Sequence, residues 1–321
     1  MTAPLFSVII PAYNRARTLG AAIQSVLDQT CQDFEIVIVD DGSKDDPRSV
    51  AEAFADPRIR FLRKENEGGG VARNTAIEMA TGRYIAPLDS DDVFLPHHLE
   101  AMKTMLKGTT NVAGYARVVV DRGDGRTFIK PPRGIRAGED MGEYLLCDRG
   151  FVPTITIVVE REMALKVRYH VNLRPAEDTD FAMRLALSGC TFRMAEQPGA
   201  IWNDVPDPGR TSASAGTLRF ATWLKQMRPL MTERAWYGAR GWAFAKLVMR
   251  ERGRRPALRL YLNALMRGCY SPRLAAVVFL QVMLTPRQYR SLADNAIRWL
   301  RVGLRESDIA QGEPVRSLET T

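Results

Sequence analysis

A chain of 321 residues with 45% apolar content can bury a sizeable core, which excludes a disordered or fibrous protein and leaves one large domain or two modest ones. Its net charge of +8 is unevenly spread: from Gly209 onward there are 20 Lys and Arg against 7 Asp and Glu, whereas residues 1–208 carry 25 against 30. Four cysteines, Cys31, Cys147, Cys190 and Cys269, stand far apart with no Cys-x-x-Cys pair, which argues against a zinc site or a disulfide scaffold and predicts reduced packing residues.

Met1–Leu5 leads into an apolar strand without a basic stretch or long apolar run before it, which predicts no export signal and a cytoplasmic location. Short β-branched and aromatic runs at Phe6–Pro11, Glu35–Val39, Ile59–Leu62 and Tyr84–Leu88 read as strands. Helical patterns separate most of them: Leu19, Ile23, Val26 and Leu27 share a face behind a Thr18 cap, and Ala72, Ala76 and Met79 do so before Gly82. This βαβα alternation predicts an α/β fold with a mostly parallel sheet flanked by helices. Further on, Val112–Val120 and Ile155–Glu160 read as strands and the Gly/Pro/Arg-rich stretch from Gly123 to Gly138 as a mobile loop. Residues 179–188 return to helical spacing, with Phe181, Ala182 and Leu185 inward and Gly189 at the stop. From Thr217 to about Leu304 the chain reads as helical, broken by Pro256, Pro272 and Pro286, before a polar tail. The apolar run Leu274–Leu284 is far short of the roughly 20 residues a membrane-spanning helix needs.

Strand ends carry the chemistry. The first strand ends in Pro11-Ala12-Tyr13-Asn14 rather than Gly-x-Gly-x-x-Gly, so the phosphate cradle of a dinucleotide-binding fold is missing. The second ends in Asp40-Asp41-Gly42-Ser43 and the fourth in Asp89-Ser90-Asp91-Asp92, two acidic groups at the edge where open parallel sheets bind ligands. Neighbouring carboxylates raise one another's pKa or recruit a divalent cation, and oxygen ligands suit magnesium or manganese. The bland alternative is a solvated acidic turn capping the next segment.

The run Ser7–Asn14, then Asp40-Asp41-Gly42-Ser43, Ala72-Arg73-Asn74, Gly82-Arg83-Tyr84-Ile85 leading into Asp89-Ser90-Asp91-Asp92, and Glu177-Asp178 at a helix start resembles the family 2 glycosyltransferases of the GT-A fold, over roughly residues 5–210. The resemblance implies an inverting, metal-dependent transferase that moves one sugar from a nucleotide-sugar donor, expected to be a UDP-sugar, to a hydroxyl of a lipid-linked or cell-surface polysaccharide acceptor. It further implies that Asp41 accepts the imide hydrogen of uracil, that Tyr13 packs on the base and that the backbone near Pro11 and Ala12 holds the nucleoside. Asp89 would lie near the ribose, Arg73 would assist the diphosphate, and Asp91 would bind the Mn2+ or Mg2+ ion. Asp178 is the candidate general base, placed where a helix dipole favours a carboxylate; simple helix capping is the bland alternative. The sequence departs from the family at Asp207, which stands where a metal-binding histidine is common and is either a second metal ligand or a solvated loop residue. His97 and His98 do not fit that place and read as the start of a surface helix. No Gln-x-x-Arg-Trp segment is present, which predicts non-processive transfer.

On this reading residues 1–210 form the catalytic domain, 211–305 a basic helical region and 306–321 a polar tail. The basic helices could be a packing domain with solvated arginines or a peripheral contact with an anionic membrane at its inner face; no nucleic-acid motif accompanies them. A non-catalytic nucleotide-sugar or glycan-binding protein on the same fold is the alternative to the enzyme.

Overall fold

The computed structural model describes residues 3–123, 125, 127–171, 173, 176–205, 217–285, 288–289 and 291–292. Its strands are β1 (Phe6–Ala12), β2 (Phe34–Asp40), β3 (Ile59–Arg63), β4 (Tyr84–Pro87), β5 (Val93–Phe94), β6 (Val112–Asp121), β7 (Thr127–Lys130), β8 (Val159–Glu160) and β9 (Thr191–Asn203). The first sheet runs β3-β2-β1-β4-β8, parallel except for β8. The second runs β5-β9-β6-β7, with β6 and β9 parallel.

Helices α1 (Ala16–Leu27), α2 (Pro47–Glu52) and α3 (Gly69–Met79) connect the first four strands, and α4 (His98–Leu106), α5 (Met141–Leu146), α6 (Arg161–Val167) and α7 (Glu177–Leu187) follow. Strands β1 and β2 are mostly apolar along both faces because both faces are covered, with Ser7 and Glu35 as buried polar exceptions bonded to each other. Alternate residues point to opposite sides: Ile9, Val37 and Val39 meet Ala72, Ala76 and Ile77 of α3, while Val8, Ile10, Ile36 and Ile38 meet Leu19, Ile23 and Val26 of α1. Parallel register aligns Ala12 with Asp40 and Asp40 with Arg63, so the strand ends form one edge.

Beyond them lie α8 (Thr217–Met227), α9 (Glu233–Ala239), α10 (Ala245–Arg252), α11 (Arg254–Met266) and α12 (Pro272–Met283). Helix α8 joins the first core through Phe220, Trp223, Leu224 and Met227, whereas α10, α11 and α12 share a separate core around Val248, Tyr261 and Val278. The boundary expected at residues 210 and 211, Pro286, Leu304 and the polar tail lie outside the described residues. All four cysteines are buried free thiols, as the spacing predicts.

Several local expectations are corrected. Thr18 lies inside α1, which starts at Ala16; the Ala16 amide donates to Asp45 Oδ2 at 2.8 Å. Ile155–Glu160 is not one strand: Thr154–Thr156 forms a 3-10 turn whose Thr156 hydroxyl turns inward to the Ala116 carbonyl, Val158 makes a single bridge with Gly114, and only Val159–Glu160 forms a strand. The stretch Gly123–Gly138 contains β7, paired with β6 over Thr127–Lys130. His98 does not face water but is 1% exposed, its ring tilted against that of Phe94, and burial lowers its pKa to about 3, so it is neutral. Pro256 lies in the first turn of α11 and Pro272 begins α12, so neither breaks its helix, since the first turn of a helix needs no internal N–H partner.

Candidate active site

The carboxyl ends of β1, β2 and β4 open onto a cleft of about 560 Å³, lined on this side by Pro11, Ala12, Tyr13, Asp41, Asp89 and Asp91. Loops after β1 and β2 are stitched together: the Asn14 amide donates to Ser43 Oγ at 2.9 Å and the Lys44 amide to Asn14 Oδ1 at 2.7 Å. Gly42 permits this closure. Its φ is +76°, and a Cβ there would stand 2.9 Å from the Asn66 amide nitrogen. Asp41 is thereby buried, with Oδ1 accepting from the Glu67 amide at 2.9 Å and Oδ2 from the Gly68 amide at 2.7 Å. Lys64 Nζ adds a third contact at 3.2 Å.

The acidic tetrapeptide divides by exposure. Asp92 is 3% exposed, and its Oδ1 accepts from the Asn203 amide at 2.8 Å, which ties this loop to the end of β9. The side chains of Asp89 and Asp91 are 33% and 24% exposed and reachable from the cleft. Arg15 Nη2 lies 3.6 Å from Asp91 Oδ2.

Arg73 organises the floor. Buried on α3, its guanidinium donates to Asp89 Oδ1 at 2.6 Å and to Glu177 Oε2 at 2.8 Å, and it lies over the Tyr169 ring. Burial works against its charge, but the two carboxylates outweigh this and raise its pKa. One cation thus links the β4 loop to the start of α7.

Asp178 faces the same cleft from α7. The residue before this helix, Ala176, has φ of +104°, a conformation costly for a side chain. Burial pushes the Asp178 carboxyl up to about 6; a hydrogen bond from the Thr154 hydroxyl and the charge of Arg73 pull it down, while Asp89 and Glu177 push it up. The far wall is aromatic: Phe151 and Trp202 line the cleft with ring centroids 5.9 Å apart. Lys130 Nζ sits 3.6 Å from the Trp202 ring centroid and 4.4 Å from that of Phe151, and burial lowers it to about 8 against the pull of Asp204 and Asp178.

Pro11, Ala12, Tyr13, Asp41, Arg73, Asp89, Asp91 and Asp178 therefore share one cleft; Asp207 lies outside the described residues. Among the described residues no three His, Cys, Asp or Glu side chains converge as a metal cage. Sequence reasoning missed Glu177 as the second partner of Arg73, and with it Thr154, Phe151, Trp202 and Lys130. Only Glu177 had a local signal, its place beside Asp178; the others come from segments with no motif.

Residues 7–164 match the glycosyl transferase family 2 profile. The amylovoran biosynthesis glycosyltransferase AmsB of Erwinia amylovora is 28% identical over 242 residues, 72% of this chain and 80% of that protein. The UDP-Glc:alpha-D-GlcNAc-diphosphoundecaprenol beta-1,3-glucosyltransferase WfgD of Escherichia coli is 44% identical over 103 residues, 32% of this chain and 41% of that protein. Among solved structures, S. aureus TarS 1-349 in complex with UDP-GlcNAc superposes with a TM-score of 0.62 at 18% identity, covering 86% of each chain. That likeness assigns the fold as GT-A.

Proposed function

Because residues 7–164 belong to glycosyl transferase family 2, we propose that the cleft binds a nucleotide-sugar donor, a UDP-sugar by preference, and transfers one sugar with inversion to an acceptor hydroxyl. The observation that carries this reading is the convergence of Asp41, Arg73, Asp89, Asp91 and Asp178, from four separate elements, on one cleft. Asp41 and Tyr13 take the nucleoside, and the glycine-rich start of α3 with Arg73 faces the diphosphate, where helix amides and a guanidinium favour anions.

A divalent cation fits the donor set. With carboxylate oxygens at Asp91 and Asp89 and no three-residue cage among the described residues, the chemistry suits Mg2+ or Mn2+ held by one or two carboxylates and completed by donor phosphates. When bound, such an ion would neutralise charge on the leaving nucleoside diphosphate. Asp178, half-buried and hydrogen-bonded to Thr154, accepts the acceptor proton as the hydroxyl attacks the anomeric carbon from the face opposite the leaving group. The Phe151 and Trp202 rings offer the acceptor sugar an apolar surface. The names of AmsB and WfgD support a polysaccharide or lipid-linked acceptor.

Transfer from UDP-sugars, assayed as release of UDP with and without manganese, tests the reading. Asp178→Asn should lower turnover by about 10²- to 10⁴-fold while UDP binding persists, and Asp91→Ala should abolish metal-stimulated binding of UDP. Full activity in both variants would refute the assignment.

A further inference from the structure

Helices α11 and α12 bury Ala257, Tyr261 and Ala264 on one and Leu274, Ala275, Val278 and Val282 on the other. The rings of Tyr261 and Phe279 meet at 5.5 Å, so the two helices lie side by side. Prolines aside, the exposed residues of α11 are Arg254, Arg255, Arg259, Leu262, Leu265 and Met266, and those of α12 are Arg273, Ala276, Phe279 and Leu280. Arg255, Arg259, Leu262 and Met266 follow one another at steps of four, three and four, so they form a single stripe opposite the buried one. Its apolar members are substantially bare: Met266 is 77% exposed and Leu262 42%.

An outward helix face ordinarily carries lysine and carboxylates. Here the sequence from Arg252 to Ala293 holds eight arginines, no lysine and no Asp or Glu. We infer that the outer face of α11 and α12 is a docking surface for an anionic lipid bilayer. Arginine guanidinium groups meet lipid phosphates while Leu262, Met266, Phe279 and Leu280 enter the boundary between headgroups and acyl chains. At 13 and 12 residues these helices lie on a bilayer rather than cross one, and no helix among the described residues is long and apolar enough to span. A nucleic acid would use the arginines but leave the apolar residues in water. A second copy would bring like charges together. The surface stands apart from the cleft; its use in meeting a lipid-linked acceptor rests on the proposed acceptor class.

The test sediments the full-length chain with phosphatidylcholine vesicles, with and without phosphatidylglycerol, and measures UDP binding with manganese by thermal shift in parallel. Binding is expected to phosphatidylglycerol vesicles, to weaken with salt, and to fall about tenfold or more in the double variant R255E/R259E. L262S/M266S should also weaken it, and UDP binding should be unchanged in both variants. Vesicle binding without UDP binding would uphold the surface and sink the transfer reading. Equal binding to neutral vesicles, no binding to anionic ones, or unchanged binding in R255E/R259E overturns the inference. So does duplex DNA binding that needs the same arginines in a chain that ignores vesicles, or a dimer that L262S/M266S dissociates.

Discussion

At the scale of single residues the cleft is decided by how two ionised groups are held. The buried guanidinium of Arg73 spans Asp89 and Glu177, and a lysine could not reach both in that planar geometry. Asp178 is desolvated, and its raised pKa has consequences of opposite sign for activity and stability. In its proposed role as base it must be ionised, so kcat/KM should rise with pH around a midpoint near 6. Thr154→Val removes a hydrogen bond that favours the ionised form, so the acid limb should move to higher pH; a pH-rate profile of the two proteins checks this. For stability, the folded value lies above the ordinary 3.8, so the folded chain holds a proton there that the unfolded chain releases. The contribution of protonated Asp178 is therefore full below pH 3.8 and is lost as pH rises through about 6. Asp178→Asn should flatten that part of the stability curve.

At the scale of elements, strand ends and helix starts place the chemistry, and most of these were legible. Short apolar runs identify β1, β2 and β4, and their carboxyl edge follows from parallel order, which is why Asp41, Asp89 and Asp91 could be found from the sequence. Boundaries were harder where side chains compete with the backbone. Thr154–Thr156 curls into a 3-10 turn because Thr156 serves a buried carbonyl 40 residues away, and this turn is what offers the Thr154 hydroxyl to Asp178. Helix α7 begins under strain at Ala176, and Ala176→Gly should raise stability by about 1 kcal/mol, relief of the positive φ exceeding the entropy cost of glycine. The same change should loosen the start of the helix that carries Glu177 and Asp178, so a higher melting temperature accompanied by slower transfer is the expected pair of results. Unchanged stability would show that the strain is not stored there.

At the scale of the molecule, the elements around the cleft and α8 share one core. The Trp223 indole on α8 donates to Asp180 Oδ1 of α7 at 2.7 Å, and Asp180 also accepts from Arg184 Nε at 2.8 Å. Trp223 and Phe220 lie in the same core as Phe181 and Leu185. Trp223→Ala should cost about 3–5 kcal/mol through the cavity and the loss of a donor to one oxygen of the buried Asp180 carboxylate, and calorimetry should show α7 and α8 unfolding in a single transition. A separate early transition would mean that α8 is only docked. The sequence by itself determined the α/β order, the sheet edge, the carboxylates on it and the basic character of the C-terminal part, because these rest on local periodicity and on residues a few positions apart. Tertiary structure alone decided that Glu177 shares Arg73 with Asp89, that Phe151 and Trp202 wall the cleft with Lys130 set against their rings, and that α8 seals α7. Each of those pairings joins segments tens of residues apart, and it depends on how the two sheets and the helices pack rather than on any pattern within one segment.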